Sequence, residues 1–353
     1  MKHILAVTGS LAAKGIDGML ISQIRNVRYL TGFTGSSACL LITGKDRIFF
    51  TDPRYEEQAK REVRGFDIVI ERYERPREIL EKAKAVGIKT LGFESTVSYA
   101  FYKALLRKGV RAKGVTNLIE ELRRVKSSLE IKMIRMAVAR AEKAFLEMKP
   151  HVRTGMSERH LALLLETALK KQGCTAIPFD IIVAAGKNTA LPHAKPSDNR
   201  IRPGDFVMFD WAGEAGGYFS DMTRTFLMKG GRDLSRKVEV YAAVLNANMS
   251  AIKAVHHETA ARVVDKTARD VIKKAGYGDY FGHGTGHGVG LDVHELPRIS
   301  RFGREMIRSG MVFTVEPGIY LPGLGGVRIE DMVLVEKQGC RTLTGLPKKL
   351  EIL

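Results

Sequence analysis

Apolar and polar positions alternate with two different periods in the first third of the chain. Short apolar runs of strand length are separated by amphipathic stretches of helical length. The strand-like runs are DGMLIS, ACLLIT, RIFFT, DIVIE and TLGFES, and the helix-like stretches include PRYEEQAKREV and PREILEKAKAVG. This alternation predicts an α/β domain. The opening MKHILAVTGSLAAKG predicts an amphipathic first helix.

The pattern changes near residue 126. Ser127 and Glu130 have the spacing of a capping box and open a long amphipathic stretch. Three more helical patterns follow, in SERHLALLLETALKKQG, KVEVYAAVLNANMSAIKAV and TAARVVDKTARDVIKKAG, and the chain ends in β-rich, glycine-punctuated sequence. We therefore predict two domains, 1–125 and 126–353, and an α/β (α+β) fold class.

Composition places the chain among globular proteins. It has 353 residues, of which 44% are hydrophobic and 27% charged, and no apolar run has the length of a membrane span. The net charge of +18 is spread over helical patterns, which favours solvated helix faces over nucleic-acid binding. The three cysteines form no CxxC pair and the first residues lack a convincing signal peptide, so we expect a cytoplasmic protein.

Two acids stand in a hairpin-like segment, PGDFVMFDWAGEAGGYFSDMTRTF. An apolar run leads into Asp210, a glycine-rich turn follows and a second strand carries Asp221, so the segment predicts a β-hairpin with an acid on each strand. Flanking aromatic residues predict that Asp210 is at least partly buried. Two buried carboxylates repel unless a proton or a cation lies between them. The alternative for either aspartate is an ion pair with Arg224.

Two glutamates repeat the pattern nearer the C-terminus. Glu316 ends MVFTVE and Glu330 lies in GGVRIEDMVLV, with Arg328 as the alternative ion-pair partner. We therefore expect four acids inside four apolar strands. A histidine-rich segment, HGTGHGVGLDVHE, precedes them, and without a following GK[ST] it does not indicate a phosphate loop. Four carboxylates and an imidazole suit Mn²⁺, Co²⁺ or Fe²⁺, and they balance the charge of two such ions. A dinuclear site would activate a bridging water as hydroxide.

The order of FDWAG, SDMTRTF, HGTGHGVGLDVHE, VEPGIY and GGVRIED resembles the metal-dependent Xaa-Pro peptidases of the pita-bread fold, aminopeptidase P and prolidase. The resemblance implies a creatinase-like N-terminal α/β domain followed by a pita-bread catalytic domain. It also implies two divalent ions per chain, Mn²⁺ or Co²⁺ first, with Fe²⁺ or Zn²⁺ as alternatives. The implied metal ligands are Asp210, Asp221, His287, Glu316 and Glu330, of which Asp221 and Glu330 would bridge the ions.

Other roles are implied by the same resemblance. Glu316 would also act as general base and acid, and three further histidines would line the catalytic cleft: His193, His283 and His294. Tyr320 and Arg328 would orient the ligands, and Arg298 would bind the free carboxylate of a dipeptide. The glycines of HGTGHG are expected to let the backbone pass close to the metals. DWAG departs from the Asp-x-Gly step that is commoner in these peptidases, and the bulky indole of Trp211 beside Asp210 is expected to narrow the substrate cleft.

The resemblance predicts an Xaa-Pro aminopeptidase, because YLTGFTGSSACLLI and FFTDPRYEEQA are similar to short bacterial enzymes of that type. The alternative is an Xaa-Pro dipeptidase, to which HELPRIS is similar. A remoter alternative is a non-catalytic module that binds peptides or nucleic acid on the same fold. The expected partners are proline-containing peptides and a second copy of the chain in a homodimer, with no membrane partner.

Overall fold

The computed structural model describes residues 2–106, 110–231 and 233–353. Its contacts divide the chain into two compact units, one ending at Arg123 and the other beginning at Arg124. Among the described residues, no helix is both long and apolar enough to cross a membrane.

The first unit is built around one mixed sheet. Its strands lie in the order β4-β3-β2-β1-β5-β6, with β2 antiparallel to both of its neighbours and the other pairs parallel. The strands are β1 (Gly18–Ile21), β2 (Ala38–Thr43), β3 (Arg47–Thr51), β4 (Asp67–Ile70), β5 (Thr90–Glu94) and β6 (Arg111–Val115). The helices are α1 (Lys2–Ser10), α2 (Ile24–Thr31), α3 (Glu56–Glu62), α4 (Arg75–Ala85), α5 (Tyr99–Leu105) and α6 (Leu118–Arg123).

The burial of each strand explains whether its sequence pattern predicts it. β1 and β2 are buried along their whole length because apolar side chains pack on both sheet faces, as with Leu20 on one and Met19 on the other. All five predicted strands are present. β6 was not predicted, because its sequence RAKGV lies at the sheet edge, is largely exposed and has no apolar run.

The second unit combines four long helices with antiparallel sheets. The helices are α7 (Ser128–Met148), α8 (Glu158–Lys171), α9 (Leu234–Lys253) and α10 (Ala261–Lys274). One sheet has the order β11-β8-β7 and another β13-β12-β14-β17-β18, while β9 pairs with β10 and β15 with β16. The strands are β7 (Ile182–Ala185), β8 (Phe206–Trp211), β9 (Glu214–Ala215), β10 (Tyr218–Phe219), β11 (Met222–Leu227), β12 (Gly286–Gly288), β13 (Glu295–Ile299), β14 (Val312–Val315), β15 (Gly318–Leu321), β16 (Gly325–Arg328), β17 (Asp331–Val335) and β18 (Cys340–Thr342).

Two apolar cores hold the helices against these strands. α7 and α8 contribute to one core and α9 and α10 to the other. The predicted capping box begins α7: the Ser127 hydroxyl accepts from the Glu130 backbone N–H, and the Glu130 carboxylate accepts from the Ser127 backbone N–H. The helices are therefore fixed on the outside of the sheets, whose strand ends carry the predicted site.

The expectation that Trp211 narrows a cleft is wrong. Its side chain is fully buried, its ring stacks on Phe145 with 4.4 Å between centroids, and its indole N–H donates to the Ala141 carbonyl at 3.0 Å. Asp210 and Trp211 are consecutive residues of β8, and consecutive side chains of a strand point to opposite faces. The indole therefore belongs to the core between α7 and the sheet, away from the carboxylate.

Candidate metal centre

The five predicted ligands line one cavity of about 440 Å³ in the second unit. Asp210 lies within β8, and His287 lies within β12. Asp221 immediately precedes β11, Glu316 immediately follows β14, and Glu330 immediately precedes β17. The expectation of four acids inside four strands is therefore corrected for three of them. Hydrogen-bonded pairing between strands stops at the strand ends. The backbone there can therefore turn several acidic side chains toward one point.

The ligand atoms form three overlapping groups, within each of which the atoms lie no more than 4.8 Å apart. The groups are Asp210 with Asp221 and Glu330, His287 with Glu316 and Glu330, and Asp221 with His287 and His294. Since Asp221, His287 and Glu330 each belong to two groups, the site is one continuous cluster. His294, expected only to line the cleft, is a further candidate ligand.

Part of the negative charge of the carboxylates is not balanced by protein groups. Oδ1 of Asp210 and Oδ1 of Asp221 are buried and have no hydrogen-bond partner among the described residues. Burial, and then the charges of neighbouring carboxylates, raise the pKa of Asp221 and of Glu330 well above the ordinary values, and burial raises the pKa of Glu316. Buried, unpaired oxygens that repel one another fit divalent cations, so the residues present suit the metal ions implied by the sequence.

His287 faces the acids as a neutral ligand. Its Nε2 lies 3.6 Å from Oδ2 of Asp221 and 3.4 Å from Oε1 of Glu316. Burial lowers the pKa of His287, which favours the uncharged imidazole that binds metals. Gly286 and Gly288 flank it because a Cβ there would clash with the carbonyls of neighbouring strand residues. These two glycines thus serve the close packing of β12 against its neighbours.

Arg328 is the positive centre behind the cluster. Nη2 donates to Oδ2 of Asp210 at 2.5 Å, Nη1 donates to the Tyr320 hydroxyl at 2.8 Å and to the Pro192 carbonyl at 3.1 Å, and Nε donates to Oγ1 of Thr223 at 3.1 Å. All three nitrogens of the guanidinium donate to partners, and these four hydrogen bonds fix its plane. Arg328 therefore holds one predicted ligand directly.

The structure replaces two ion pairs that the sequence analysis gave as alternatives. Arg224 pairs with Asp331 at 2.8 Å and with neither predicted aspartate ligand, because its side chain points to the opposite side of β11 from Asp221 and Thr223. Arg328 pairs with Asp210 and not with Glu330. The arginines nearest in sequence to the acids therefore do not neutralise Asp221 or Glu330.

His283 is engaged by protein groups at both ring nitrogens. Nε2 lies 2.8 Å from the Tyr320 hydroxyl, and Nδ1 lies 2.8 Å from the Gly284 carbonyl. Since Arg328 can only donate, the Tyr320 oxygen accepts from it and its proton points to Nε2, which leaves Nδ1 as the N–H donor. Burial raises the pKa of Tyr320 to about 12, so the hydroxyl stays protonated. His283 lines the cavity with its hydrogen-bonding capacity already used.

The remaining predicted residues stand around the cavity. His193 and His294 are exposed and line it, and the His294 ring lies 4.2 Å from that of His287. Arg298 is not among the lining residues, but it is the cross-strand partner of His287 in the β12–β13 pair. Within the part of the chain that the structure describes, its guanidinium has no hydrogen bond or ion pair with another residue. Arg298 is thus an exposed cation beside the site.

Two threonines that the sequence analysis did not single out hold the glutamates. The Thr223 hydroxyl donates to Oε2 of Glu330 at 2.7 Å, and the Thr314 hydroxyl donates to Oε1 of Glu316 at 3.3 Å. Thr223 comes two residues after Asp221 and Thr314 two residues before Glu316. A period of two places side chains on the same strand face, so this spacing was an available signal.

A β-rich unit with flanking helices and a buried cluster of four carboxylates and a histidine defines a metal-dependent hydrolase. The chain belongs to metallopeptidase family M24: residues 132–337 match that family, and residues 4–125 match the creatinase/prolidase N-terminal domain. The predicted family and fold class are thereby confirmed, and membership implies divalent metal ions.

Three similar proteins span nearly the whole chain. "Uncharacterized peptidase YqhT" of Bacillus subtilis (strain 168) is 41% identical over 96% of this chain and 96% of its own. The structure of an Xaa-Pro dipeptidase from Bacillus anthracis superposes with a TM-score of 0.96 at 38% identity, covering 100% of this chain and 99% of that one. The structure of an X-Pro aminopeptidase from Thermotoga maritima MSB8 superposes with a TM-score of 0.87 at 36% identity, covering 96% and 98%.

Proposed function

We propose that the chain is an Xaa-Pro exopeptidase that hydrolyses the peptide bond before proline at the N-terminus of its substrates. The observation that carries the proposal is the convergence of Asp210, Asp221, His287, Glu316 and Glu330 in one cavity with overlapping groups of ligand atoms. Similar structures from Bacillus anthracis and Thermotoga maritima, named for Xaa-Pro cleavage, support the substrate class.

The number and kind of ions follow from the charge of the ligands. Four carboxylates balance two divalent cations, and oxygen ligands with one imidazole suit Mn²⁺ or Co²⁺ ahead of Fe²⁺ or Zn²⁺. Divalent ions bound there would lower the pKa of a water molecule and polarise the carbonyl of the residue before proline. The homodimer and the cytoplasmic location expected from the sequence stay predictions.

We infer that Glu316 moves protons during the reaction. Its carboxylate is buried, lies 3.4 Å from Nε2 of His287 and is oriented by the Thr314 hydroxyl. Burial raises the pKa of Glu316, which favours accepting a proton from the attacking water and passing it to the prolyl nitrogen. We expect His193 and His294, which line the cavity, to contact the substrate, and His283, which is hydrogen-bonded to Tyr320, to line the cleft.

The aminopeptidase predicted from the sequence requires a site that accepts chain beyond proline. A second candidate, the dipeptidase, is favoured by one observation: Arg298, opposite His287 in the strand pair, has a guanidinium without a partner among the described residues. An exposed arginine in that place can bind the carboxylate of a dipeptide through two hydrogen bonds. A binding module without catalysis has no comparable support, since all five ligand positions are retained.

Hydrolysis of Ala-Pro and Ala-Pro-Ala by Mn²⁺-loaded or Co²⁺-loaded protein tests the proposal. Faster cleavage of the tripeptide identifies an aminopeptidase, and faster cleavage of the dipeptide identifies a dipeptidase. Glu316→Gln should lower kcat by about 100-fold or more, the scale of general acid–base catalysis. Glu336→Gln, which changes a half-exposed glutamate paired with Arg341, is the matched control. Metal-loaded protein that cleaves neither peptide would refute Xaa-Pro cleavage.

A further inference from the structure

A buried asparagine lies on the apolar face of α9. Asn248 is fully buried, and the neighbouring positions Val244, Ala247 and Ala251 are core residues of the same helix. A primary amide is costly in a core unless its donors and acceptor are all used. The partners of Asn248 therefore indicate why it is present.

The amide of Asn248 contacts two strand-end segments at once. Nδ2 donates to the Val315 carbonyl at 2.9 Å and to the Ile329 carbonyl at 3.3 Å, and Oδ1 accepts from Nζ of Lys348 at 2.9 Å. Carbonyls only accept and a lysine only donates, so this orientation of the amide is the one that satisfies every group. Val315 and Ile329 are the residues immediately before Glu316 and Glu330.

Each of these carbonyls belongs to the peptide unit that carries a glutamate ligand. The N–H of the Val315–Glu316 unit donates to the Thr285 carbonyl at 2.8 Å, and the N–H of the Ile329–Glu330 unit donates to the Thr223 carbonyl at 3.2 Å. Because a peptide unit is planar, fixing its C=O and its N–H fixes the direction in which the next side chain leaves the backbone. Asn248 supplies a C=O contact to both units.

The strand ladder reaches only the first of these two units. β14 and β17 pair from Val312 opposite Leu334 to Val315 opposite Asp331, and the pairing stops there. The next opposed residues would be Glu316 and Glu330, and like charges directly opposite one another destabilise a sheet. Asn248 thus connects the two strands at the position where the ladder ends.

We propose that Asn248 is a positioning residue that sets the spacing of Glu316 and Glu330, and thereby the affinity and occupancy of the metal site. The inference rests on the proposed metal centre and deepens it. Lys348 completes the arrangement, because its ammonium also pairs with Oδ2 of Asp331 at 2.9 Å. A helix outside the cavity thus controls the distance between two ligands without contacting either side chain.

Asn248→Asp is the sharpest test. Aspartate has the shape of asparagine and keeps an acceptor for Lys348, but it has no N–H for the two carbonyls. We expect Mn²⁺ affinity to fall by about 10- to 100-fold, as for other residues that orient metal ligands. Tyr241→Phe is the matched control: it removes a hydrogen bond from the same helix, between the Tyr241 hydroxyl and the Lys348 carbonyl at 3.0 Å, and touches neither glutamate unit.

Calorimetric titration with Mn²⁺ measures the affinity, at a temperature where circular dichroism shows that every variant is folded. Electron paramagnetic resonance of the bound Mn²⁺ is a second measurement of binding. Weakened binding in Asn248→Asp with wild-type binding in Tyr241→Phe supports the proposal, and equal binding in all three proteins overturns it. If Asn248→Asp does not fold, Asn248→Ala replaces it with the same expected outcomes. Wild-type protein that binds no divalent ion would overturn the metal centre itself, a result distinct from equal binding.

Discussion

Arg328 donates a hydrogen bond from Nη2 to Oδ2 of Asp210 at 2.5 Å, and both side chains are largely buried. The same guanidinium contacts the Tyr320 hydroxyl and the carbonyl of Pro192, the residue before His193. One arginine therefore fixes a predicted metal ligand, the hydroxyl that orients His283 and the loop that carries a cavity histidine.

Arg328→Lys keeps the positive charge and removes the guanidinium fork. The lysine ammonium is compact and non-planar, so it cannot donate to four partners in the fixed directions of a guanidinium. We expect Mn²⁺ affinity to fall by about 10- to 100-fold and the free energy of unfolding by about 3–5 kcal/mol, the scale of a broken buried ion pair. Calorimetry and urea unfolding measure the two effects.

Arg341→Lys is the control for that experiment, since Arg341 forms an exposed ion pair with Glu336. Exposed pairs contribute about 0–1 kcal/mol, so this variant should match the wild type in both measurements. Wild-type metal affinity in Arg328→Lys would show that the charge alone is sufficient and that the fork has no positioning role.

Arg298 gives a substrate-dependent prediction. If it binds the carboxylate of a dipeptide, Arg298→Ala should raise KM for Ala-Pro by about 10- to 100-fold, because hydrogen bonds to charged groups contribute about 1.5–3 kcal/mol. Cleavage of Ala-Pro-Ala should change by less than about twofold. Arg301→Ala removes another exposed arginine that does not line the cavity and serves as the control. Equal effects of Arg298→Ala on both peptides would exclude carboxylate recognition.

The acidic cluster predicts that metal binding stabilises the protein more at higher pH. The raised pKa values of Asp221, Glu316 and Glu330 mean that, without metal, these groups stabilise the fold most when protonated, below their ordinary pKa near about 4. That contribution is lost as pH rises through the folded pKa values. Metal ions bind the deprotonated groups and displace protons, so binding offsets this loss.

The test is the thermal midpoint with and without Mn²⁺ at pH values from 5 to 8. At about 100 times Kd a bound ion contributes about 2.7 kcal/mol, and protons compete for the same oxygens at low pH. The Mn²⁺-induced rise in the midpoint should therefore be larger at pH 8 than at pH 5. A rise that is the same at every pH would contradict proton competition at the cluster.

The site residues could be found from the sequence because charged residues next to apolar strand runs have no role in an ordinary core. Asp210, Asp221, Glu316 and Glu330 stood out for that reason, and their order matched a known motif set. Which arginine neutralises which acid could not be read from the sequence, because partner choice depends on the strand face and on distant segments. Arg224 is nearest in sequence to Asp221, yet its guanidinium pairs with Asp331 on another strand.

The supporting residues were harder to find. Thr223 and Thr314 follow the period-two rule, and Asn248 is a polar residue on an apolar helix face, so each had a weak signal. Neither signal identifies the hydrogen-bond partners of these residues. Those of Asn248, for example, lie on segments far along the chain. β6 was missed because an exposed edge strand needs no apolar pattern.

A Trp211 variant tests the finding that the indole points into the core and away from the cavity. Trp211→Phe removes the hydrogen bond to Ala141 and part of the stacked ring on Phe145. The free energy of unfolding should fall by about 1–3 kcal/mol through the lost hydrogen bond and the cavity left in the core. KM and kcat should stay within about twofold of the wild type, because the indole faces away from the cavity.

Phe179→Ala is the contrasting variant: Phe179 lines the cavity, so KM should change while stability changes less. An increase in KM for Trp211→Phe as large as that for Phe179→Ala would restore the idea that the indole shapes the cleft.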